Sequence, residues 1–579
     1  MGASFIVKEI IKKIIIDTAT SCLKNFDVCS KDFNIEIPKG KGFGDFSTNL
    51  AMVYANKNRH SPLDVAGQLA EDLRKNTIFS KVDIAGPGFI NIIVNTQFIS
   101  DFVGKVLEEG TEFGSKKIKK SLKVILEFVS ANPTGPIHVG HGRGAVIGSS
   151  LAKIFAFQNY NVHTEYYVND SGRQMDILAL SVIQRFNNRN NTKNSKIVGI
   201  YEGGYVDQIL DEYVRAYNFK STFELISASD CVDNEDTEKI INKLIDEAKA
   251  HLGEEFNRIR EFSCAFIMRQ IKNVLAEFRV NFDSFYSEQS LYNNKLVQNV
   301  INKLIKKGIA YKKDGAVWFS STKYNDEKDR VLVRRDGSPT YFASDIAYHE
   351  IKLKSNNDIL INIWGADHHG YIPRLKGAIS SLGYHSDSLV VVLVQFASLI
   401  VNKKKVSMST RKGLFKTLED LIKEVGVDAT RFFYLMRKAD QTLEFDIDLA
   451  KEETSKNPVY YIQYAHARLS SVIRQSNISE EEIINFKGES LYDESERNLV
   501  FQIGNFPEIV KNAEIHRDPS IIAQYLREFA NSVHHNYVVN KILVDDISIR
   551  SSRLRLAKAS RFVLANGLGL LGISCPEQM

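Results

Sequence analysis

Cysteine is sparse and its spacing carries no pattern: Cys22, Cys29, Cys231, Cys264 and Cys575 include no C-x-x-C pair, and their number is odd. That argues against a disulfide framework or a zinc ribbon and suits a reducing compartment. Long apolar runs are missing as well. The best stretch, Phe562 to Ile573, is too short to span a bilayer and carries Asn566 and three glycines, so it reads as a buried helix. Lys8, Glu9, Lys12 and Lys13 break the apolar run near the start and leave no signal-peptide core. Met1-Gly2 opens like an acylation site, but Ile6 stands where Ser or Thr is required. No P-loop pattern G-x-x-x-x-G-K-[ST] occurs, which sets aside kinases and GTPases of that type. Nor does one sign of charge dominate: 75 Lys+Arg face 70 Asp+Glu, a net of +5. This excludes a histone-like binder but leaves room for a local nucleic-acid face. With 44% apolar and 25% charged residues, the 579-residue chain reads as an ordinary folded protein, expected in the cytoplasm and off the membrane.

At about 150 residues per domain, the length allows three or four domains. The first hundred or so residues read as one unit. It has a helical opening through Ile10, Ile14, Ile15 and Thr18, a turn-rich patch Gly40 to Asp45, an amphipathic stretch Leu50 to Ala55, and two strands around Gly86-Pro87-Gly88. A basic linker, Gly114 to Lys120, follows. Then strand Val124–Val129, a Pro/Gly/His loop, a helix through Ala145 to Phe155, strand Val162–Val168 and a helix through Ile177 to Ile183 predict a parallel sheet with right-handed crossovers. Parallel-strand signals return at Ile359–Trp364 and Leu389–Val394, so an insertion of about 190–330 splits the two halves of a doubly wound sheet. From about 450 onward the periodicity is helical, with Tyr461, Tyr464, Ala465, Leu469 and Val472 on one face.

The loop after the first of these strands reads Asn132-Pro133-Thr134-Gly135-Pro136-Ile137-His138-Val139-Gly140-His141-Gly142. Two histidines bracket a glycine where a helix begins. Free N–H groups there can take phosphate, Gly140 and Gly142 can let a nucleotide approach the backbone, and His138 and His141 can donate to a phosphate gaining charge. A rival reading takes Gly142, Gly144 and Gly148 as a dinucleotide fingerprint with Glu165 as ribose acceptor. It fails because the glycines of that motif follow the strand immediately. A second constellation, Lys403-Lys404-Lys405-Val406-Ser407-Met408-Ser409-Thr410-Arg411-Lys412-Gly413, is a cationic, glycine-ended loop.

Together these two segments resemble the His-Ile-Gly-His and Lys-Met-Ser-Lys-Ser signatures of class I aminoacyl-tRNA synthetases. Asn132 to Ala145, Glu165 to Asp170, Trp364 to Tyr371 and Asn457 to Arg468 narrow the resemblance to the arginyl-tRNA synthetases, and Gly44 to Asn49 and Gly86 to Asn91 resemble that family's extra N-terminal domain. The resemblance implies a multidomain α/β protein. A small α+β tRNA-contacting domain would cover 1–115, a class I Rossmann-like doubly wound parallel sheet with its insertion 120–450, and an all-α anticodon-binding domain 451–579. It implies arginine–tRNA ligase activity: L-arginine is activated with ATP to arginyl-adenylate, diphosphate leaves, and arginine passes to the 3′ end of tRNA(Arg). In this family, activation itself requires bound tRNA. The chain is expected to act as a monomer.

Carried over residue by residue, the family pattern makes His138, His141, Arg411 and Lys412 catalytic. It places Pro133, Thr134, Gly135, His138, Gly140, His141, Gly142, Asp367, His368, Met408 and Ser409 at ATP. Tyr341 and Asp345 surround the guanidinium, a group that demands planar acceptors, while Glu127 and Asn132 hold the α-amino and carboxylate groups. Tyr460, Tyr461, Tyr464 and Arg468 contact the anticodon stem-loop. Asp367-His368-His369 lacks a third ligand at zinc spacing, so no protein-bound metal or prosthetic group is expected. Mg²⁺ should arrive with ATP. The cationic loop departs from the family pattern: Ser407 and Thr410 occupy the lysine positions, and Asn132 to Ile137 holds no substitute lysine. Arg411 adjoins the missing position and is expected to supply the lost charge, with Lys412 second and Lys405 near. A catalytically silent relative of the same fold is the competing class, and it should have lost its histidines or its basic loop.

Overall fold

The computed structural model describes residues 7–24, 26–29, 31–36, 38, 43–117, 121–190, 197–220, 237–355, 357–405, 417–486 and 492–579. Contacts divide the chain into two units, 1–119 with 157–159 and 452–579, and 120–156 with 160–451.

The second unit is built on a five-stranded parallel sheet in the order Leu389–Val394, Ile359–Gly365, Lys123–Glu127, Asn161–Val168, Ser284–Ser287. Val124, Ile125, Leu126 and Glu127 are all buried, as expected of a strand covered on both faces. In chain order the strands run 3-2-1-4-5 across the sheet. The direction of winding therefore reverses between Lys123–Glu127 and Ile359–Gly365, and a ligand crevice belongs beyond their carboxyl ends. Helix Val139–Phe157 follows the central strand and packs closely on it. A Cβ added at Gly148 would lie 2.2 Å from the Phe128 ring.

Strand Ser284–Ser287 falls inside the span 190–330 that the sequence reading treats as inserted. Its Ser-Phe-Tyr-Ser residues are all half-buried and offer no apolar run. The excursions lie on either side of it. Before it come helices Gly204–Tyr217, Thr237–Leu252 and Glu254–Glu277. After it comes a three-stranded antiparallel sheet in the order Arg330–Val333, Ala316–Phe319, Ala310–Lys313. That sheet and helix Leu296–Lys306 share a core with helix Tyr341–Lys354 through Val300, Leu304, Phe319, Leu332, Phe342 and Ile346. A further small sheet orders Lys404–Lys405, Ala397–Val401 and Leu443–Asp446.

In the first unit, helix Val7–Cys22 buries Val7, Ile11, Ile15 and Ala19. The helical opening expected through Ile10, Ile14, Ile15 and Thr18 is there; Ile15 is buried, and the other three are half-buried. An antiparallel sheet orders Ile35–Glu36, Phe46–Thr48, Phe89–Val94 and Phe79–Ala85. The sequence reading separates 1–115 from 451–579, but here both segments share one packed unit. Arg497, on helix Glu494–His516, reaches the Asp45 carboxylate (Nε to Oδ1, 2.9 Å) and the Val94 carbonyl (2.6 Å). The other helices of the carboxyl-terminal segment include Pro458–Gln475, Ser520–Val539 and Ile547–Leu570. No helix among the described residues is long and apolar enough to cross a membrane.

Gly148→Ala forces a methyl group against Phe128. Overpacking of this kind costs about 1–3 kcal/mol, so the urea unfolding midpoint should fall measurably; an unchanged midpoint would contradict the close packing described.

Candidate functional site

The loop leaving the central strand starts under strain. Val129 and Ser130 have φ of +68° and +40°, a left-handed region that a β-branched residue rarely enters. Neighbours hold the conformation: the Ser130 hydroxyl donates to Glu127 (3.3 Å) and accepts from the Tyr167 N–H (3.1 Å), and the Tyr166 hydroxyl donates to the Ala131 carbonyl (2.7 Å). Asn132 accepts from Asn169 (3.0 Å) and donates to Gln174 (2.8 Å). Pro133 is buried. The Thr134 hydroxyl faces Tyr201, and Gly135 lies against Tyr205.

His138 and His141 meet with ring centroids 3.9 Å apart. The Gly140 N–H donates to His138 Nδ1 (3.1 Å), and the His138 N–H donates to His141 Nδ1 (3.3 Å). Both Nδ1 atoms are therefore acceptors, and each neutral ring carries its proton on Nε2. Burial lowers the pKa of both. His141 falls to about 3, with the nearby His138 ring adding to the effect. At neutral pH the pair is two uncharged donors. The two glycines also make room within the protein. A Cβ at Gly140 would strike the His138 ring at 2.8 Å, and one at Gly142 would strike Leu418 (2.8 Å) and Tyr434 (2.9 Å). Each position is thus already closely approached by a protein side chain. The Gly140 N–H, expected to be open to phosphate, is likewise engaged by His138.

The Leu418 N–H donates to the Ile137 carbonyl (3.0 Å), and Thr417 bridges His138. Ser407, Met408, Ser409, Thr410, Arg411 and Lys412 lie outside the described residues; Lys405 is exposed at the end of its strand.

Helix Tyr341–Lys354 packs on the sheet, with Leu353 against Ile125, Leu360 and Leu389, and gathers charge there. Lys352 is buried, with Nζ 2.6 Å from Glu127 Oε2 and 3.6 Å from Glu165 Oε1. Glu165 also accepts from the Tyr348 hydroxyl (2.6 Å) and from Ser284 (3.1 Å). Glu127, expected to meet the substrate amino group, is thus occupied by Lys352 and Ser130. A charge buried beneath a helix must be paired, and here the protein supplies the pairing. Glu165 is equally engaged, which removes it as a ribose acceptor.

Asp345, half-buried on the same helix, accepts from the Tyr371 hydroxyl. Burial pushes its carboxyl up to about 7. Glu127 and Glu288 add to the rise, while the Tyr371 hydrogen bond and Lys352 oppose it. Glu288, which the sequence reading missed, is buried. It accepts from Ser344 (3.0 Å), and its Oε2 has no well-formed hydrogen bond. Burial raises its carboxyl against the pull of the Ser171, Ser344 and Tyr167 hydroxyls. Four carboxylates, Glu127, Glu165, Glu288 and Asp345, thus stand against one ammonium, so the arrangement lacks positive charge and can take a cation. Tyr341 begins the helix one turn from Asp345, 52% exposed, with its hydroxyl beside Gly172.

Asp367 and His368 lie in the turn Ala366–Tyr371, just past strand Ile359–Gly365, with His368 Nε2 3.7 Å from Asp367 Oδ2 and both side chains exposed. Among the described residues no three His, Cys, Asp or Glu side chains come together to hold a metal ion. In the other unit, Tyr460 and Tyr464 stack at 6.4 Å, His534 packs on Tyr461 (4.2 Å), and the Arg468 guanidinium lies over Tyr464 (4.7 Å) and Tyr537 (4.6 Å). The four residues expected at the anticodon therefore form one aromatic–cationic cluster, joined by His534 and Tyr537.

The fold and signature loop define a class I tRNA synthetase, and residues 102–468 match the family model described as tRNA synthetases class I (R), catalytic domain. Residues 6–94 match the arginyl tRNA synthetase N terminal domain and 462–579 the DALR anticodon binding domain. The chain is 44% identical to the arginine–tRNA ligase of Thioalkalivibrio sulfidiphilus over 558 residues, covering 95% of both chains. It is 44% identical to that of Aromatoleum aromaticum over 566 residues, covering 96% of both. The arginyl-tRNA synthetase structure of Thermus thermophilus shares the fold, with a TM-score of 0.71 at 19% identity over 99% of this chain and 100% of that one. The chain belongs to the arginyl-tRNA synthetase family.

The two halves of the site should titrate differently. Below pH 7 Asp345 is protonated in the empty site, and a bound guanidinium must expel that proton. Arginine KM should therefore rise as pH falls from 8.5 to 6.5, approaching about tenfold per unit on the acid side. The histidines are already neutral, so kcat should stay flat over this range. Steady-state kinetics would show the KM slope vanish in Asp345→Asn; a slope carried by kcat instead would contradict the assignment.

Proposed function

We propose that this chain is an arginine–tRNA ligase whose acidic cluster at the carboxyl edge of the sheet takes the arginine side chain and whose histidine pair takes ATP. The observation that carries the reading is the charge balance: Glu288 and Asp345 are buried or half-buried beyond what Lys352 can neutralise. A guanidinium is planar and permanently charged, and it matches two carboxylates in bidentate fashion. Tyr341 borders it, and Asn132 holds the α-amino and carboxylate groups, with Glu127 acting through Ser130.

The arginine carboxylate then attacks the α-phosphorus of ATP, the bond to diphosphate breaks, and arginyl-adenylate forms. His138 and His141 donate Nε2–H to phosphate oxygens that gain charge, and Asp367 and His368 border the nucleotide. A hydroxyl of the tRNA 3′-terminal ribose next attacks the adenylate carbonyl and releases AMP. No enzyme nucleophile is required. Mg²⁺ enters with ATP and is held mainly by phosphate oxygens, which it prefers to a dedicated set of protein ligands. Tyr460, Tyr461, Tyr464 and Arg468 stack on anticodon-loop bases, each stack contributing about 1–3 kcal/mol. The enzyme works as a cytoplasmic monomer.

ATP–diphosphate exchange tests the reading: it should require arginine and tRNA together. Asp345→Ala leaves the substrate charge unpaired, at about 3–5 kcal/mol, or two to three orders of magnitude in arginine kcat/KM, with ATP affinity little changed. Exchange in the absence of tRNA, or wild-type arginine kinetics in the variant, would count against it.

Arg411 replaces the missing lysines as the cation at the departing diphosphate, with Lys412 second; a guanidinium grips phosphate through two parallel bonds. Arg411→Ala should lower kcat for exchange roughly 10²-fold with little change in tRNA KM. If kcat holds while tRNA binding weakens and its salt dependence becomes shallower, the loop is a docking element instead.

A further inference from the structure

Tyr371 ends the turn that follows strand Ile359–Gly365, and its environment is more elaborate than packing requires. Its hydroxyl donates to Asp345 Oδ2. Its ring meets Phe342 edge-on at 5.9 Å and Trp364 at 5.8 Å. The Arg374 guanidinium lies 5.2 Å from the ring centre. Arg374 Nε is in turn 3.4 Å from Asp326 Oδ2, and Asp326, whose side chain is 4% exposed, takes both Nε and Nη2 of Arg330 at 2.7 Å. The segment bearing Asp326 is clamped to helix Ile372–Leu382, since a Cβ at Gly377 would lie 2.4 Å from Tyr324 Cβ. A continuous chain of contacts thus runs from the excursion after Ser284–Ser287 through Asp326, Arg374 and Tyr371 to the Asp345 carboxylate.

We propose that Tyr371 is a positioning residue for arginine: it pins one oxygen of Asp345 so that the carboxylate plane meets the guanidinium, and the Asp326–Arg374 pair holds Tyr371 in register. This deepens the reading of Asp345 as the guanidinium partner and rests on it. A bidentate contact requires the two planes to coincide, yet an aspartate carboxyl turns freely about its terminal torsion. A donor on Oδ2 removes that freedom before substrate arrives, and preorganisation of this kind raises affinity. The same bond favours the ionised carboxyl. Opposing it are the Glu127 carboxylate from the central strand and Glu288 from the helix after Ser284–Ser287; Lys352 on Asp345's own helix assists it. The Tyr167 and Tyr292 hydroxyls also lie within electrostatic reach of Asp345. Loss of the Tyr371 hydroxyl therefore removes both an orientation and a charge preference, while a phenylalanine ring keeps the contacts with Phe342, Trp364 and Arg374.

The test is Tyr371→Phe in the full-length enzyme, assayed by tRNA-dependent diphosphate exchange between pH 6.5 and 8.5. Arginine KM should rise about 10- to 100-fold, the range for a lost hydrogen bond to a charged group. The kcat and the ATP KM should stay close to wild type, and the acid limb of kcat/KM for arginine should move to higher pH. If KM and the limb stay at their wild-type positions, or if kcat falls for both substrates alike, Tyr371 is packing and the proposal is wrong. Asp345→Asn, run beside it, separates the two levels. If both variants behave as wild type, the guanidinium assignment itself has failed. If Asp345→Asn is crippled and Tyr371→Phe is not, the assignment stands and the positioning role falls.

Discussion

Two carboxylates face each other across the middle of the sheet. Glu127, the last residue of its strand, pairs directly with Glu165 inside the neighbouring parallel strand, and like charges so placed repel. Lys352 makes the arrangement tolerable. It is buried between them, 2.6 Å from one and 3.6 Å from the other. Because Lys352 belongs to helix Tyr341–Lys354, the ion cluster also fixes where that helix packs on the sheet. Tyr348 adds its hydroxyl to Glu165, and His349 donates Nδ1–H to the Asp345 carbonyl while accepting from Asn362 on strand Ile359–Gly365. Removing Lys352 would leave two buried like charges and release the helix that carries Asp345. A buried ion pair is weak evidence for stability in general; here its value is that it sets the register of the helix that forms the site.

The site joins two opposite electrostatic solutions. At the histidine pair the protein offers neutral imidazoles whose tautomers are set by backbone amides, so no proton has to move for them to donate. Around the start of helix Tyr341–Lys354 it leaves Glu288 and Asp345 under-neutralised and lets burial raise their pKa. The first half should be insensitive to pH near neutrality and the second sensitive, because a desolvated acid responds to an arriving cation and an already neutral donor does not.

Much of this was legible in the sequence where the causes are local. Val124 to Leu126, Ile359 to Trp364 and Leu389 to Val394 announce themselves as largely apolar runs, and the histidine loop is a contiguous motif. What was not legible depends on tertiary crossing. Lys352 and Glu127 are 225 residues apart in the chain, and nothing in Ala-Tyr-His-Glu-Ile-Lys marks its lysine as buried. Glu288 follows an edge strand too short and too polar to be recognised. That His138 packs against Gly140, and Leu418 and Tyr434 against Gly142, is likewise a matter of tertiary contact that the motif alone does not show.

The described residues that flank the cationic segment are tied to the start of the histidine helix. Arg143, two residues after His141, is fully buried and gives its guanidinium to backbone carbonyls: Gln395 at 2.8 Å, Gln441 at 2.7 Å and Lys438 at 2.8 Å. Gln395 leads into strand Ala397–Val401 and Gln441 into strand Leu443–Asp446, which pair in parallel. One arginine therefore anchors both strands of the small sheet to the start of the histidine helix. The segment 406–416 departs from that sheet at Lys405 and rejoins the described chain at Thr417, paired with His138. Both of its ends are thus tied to the histidine pair, one through Arg143 and one directly. These flanking ties are made by backbone groups and by Arg143, so they do not depend on which side chains the segment between them carries.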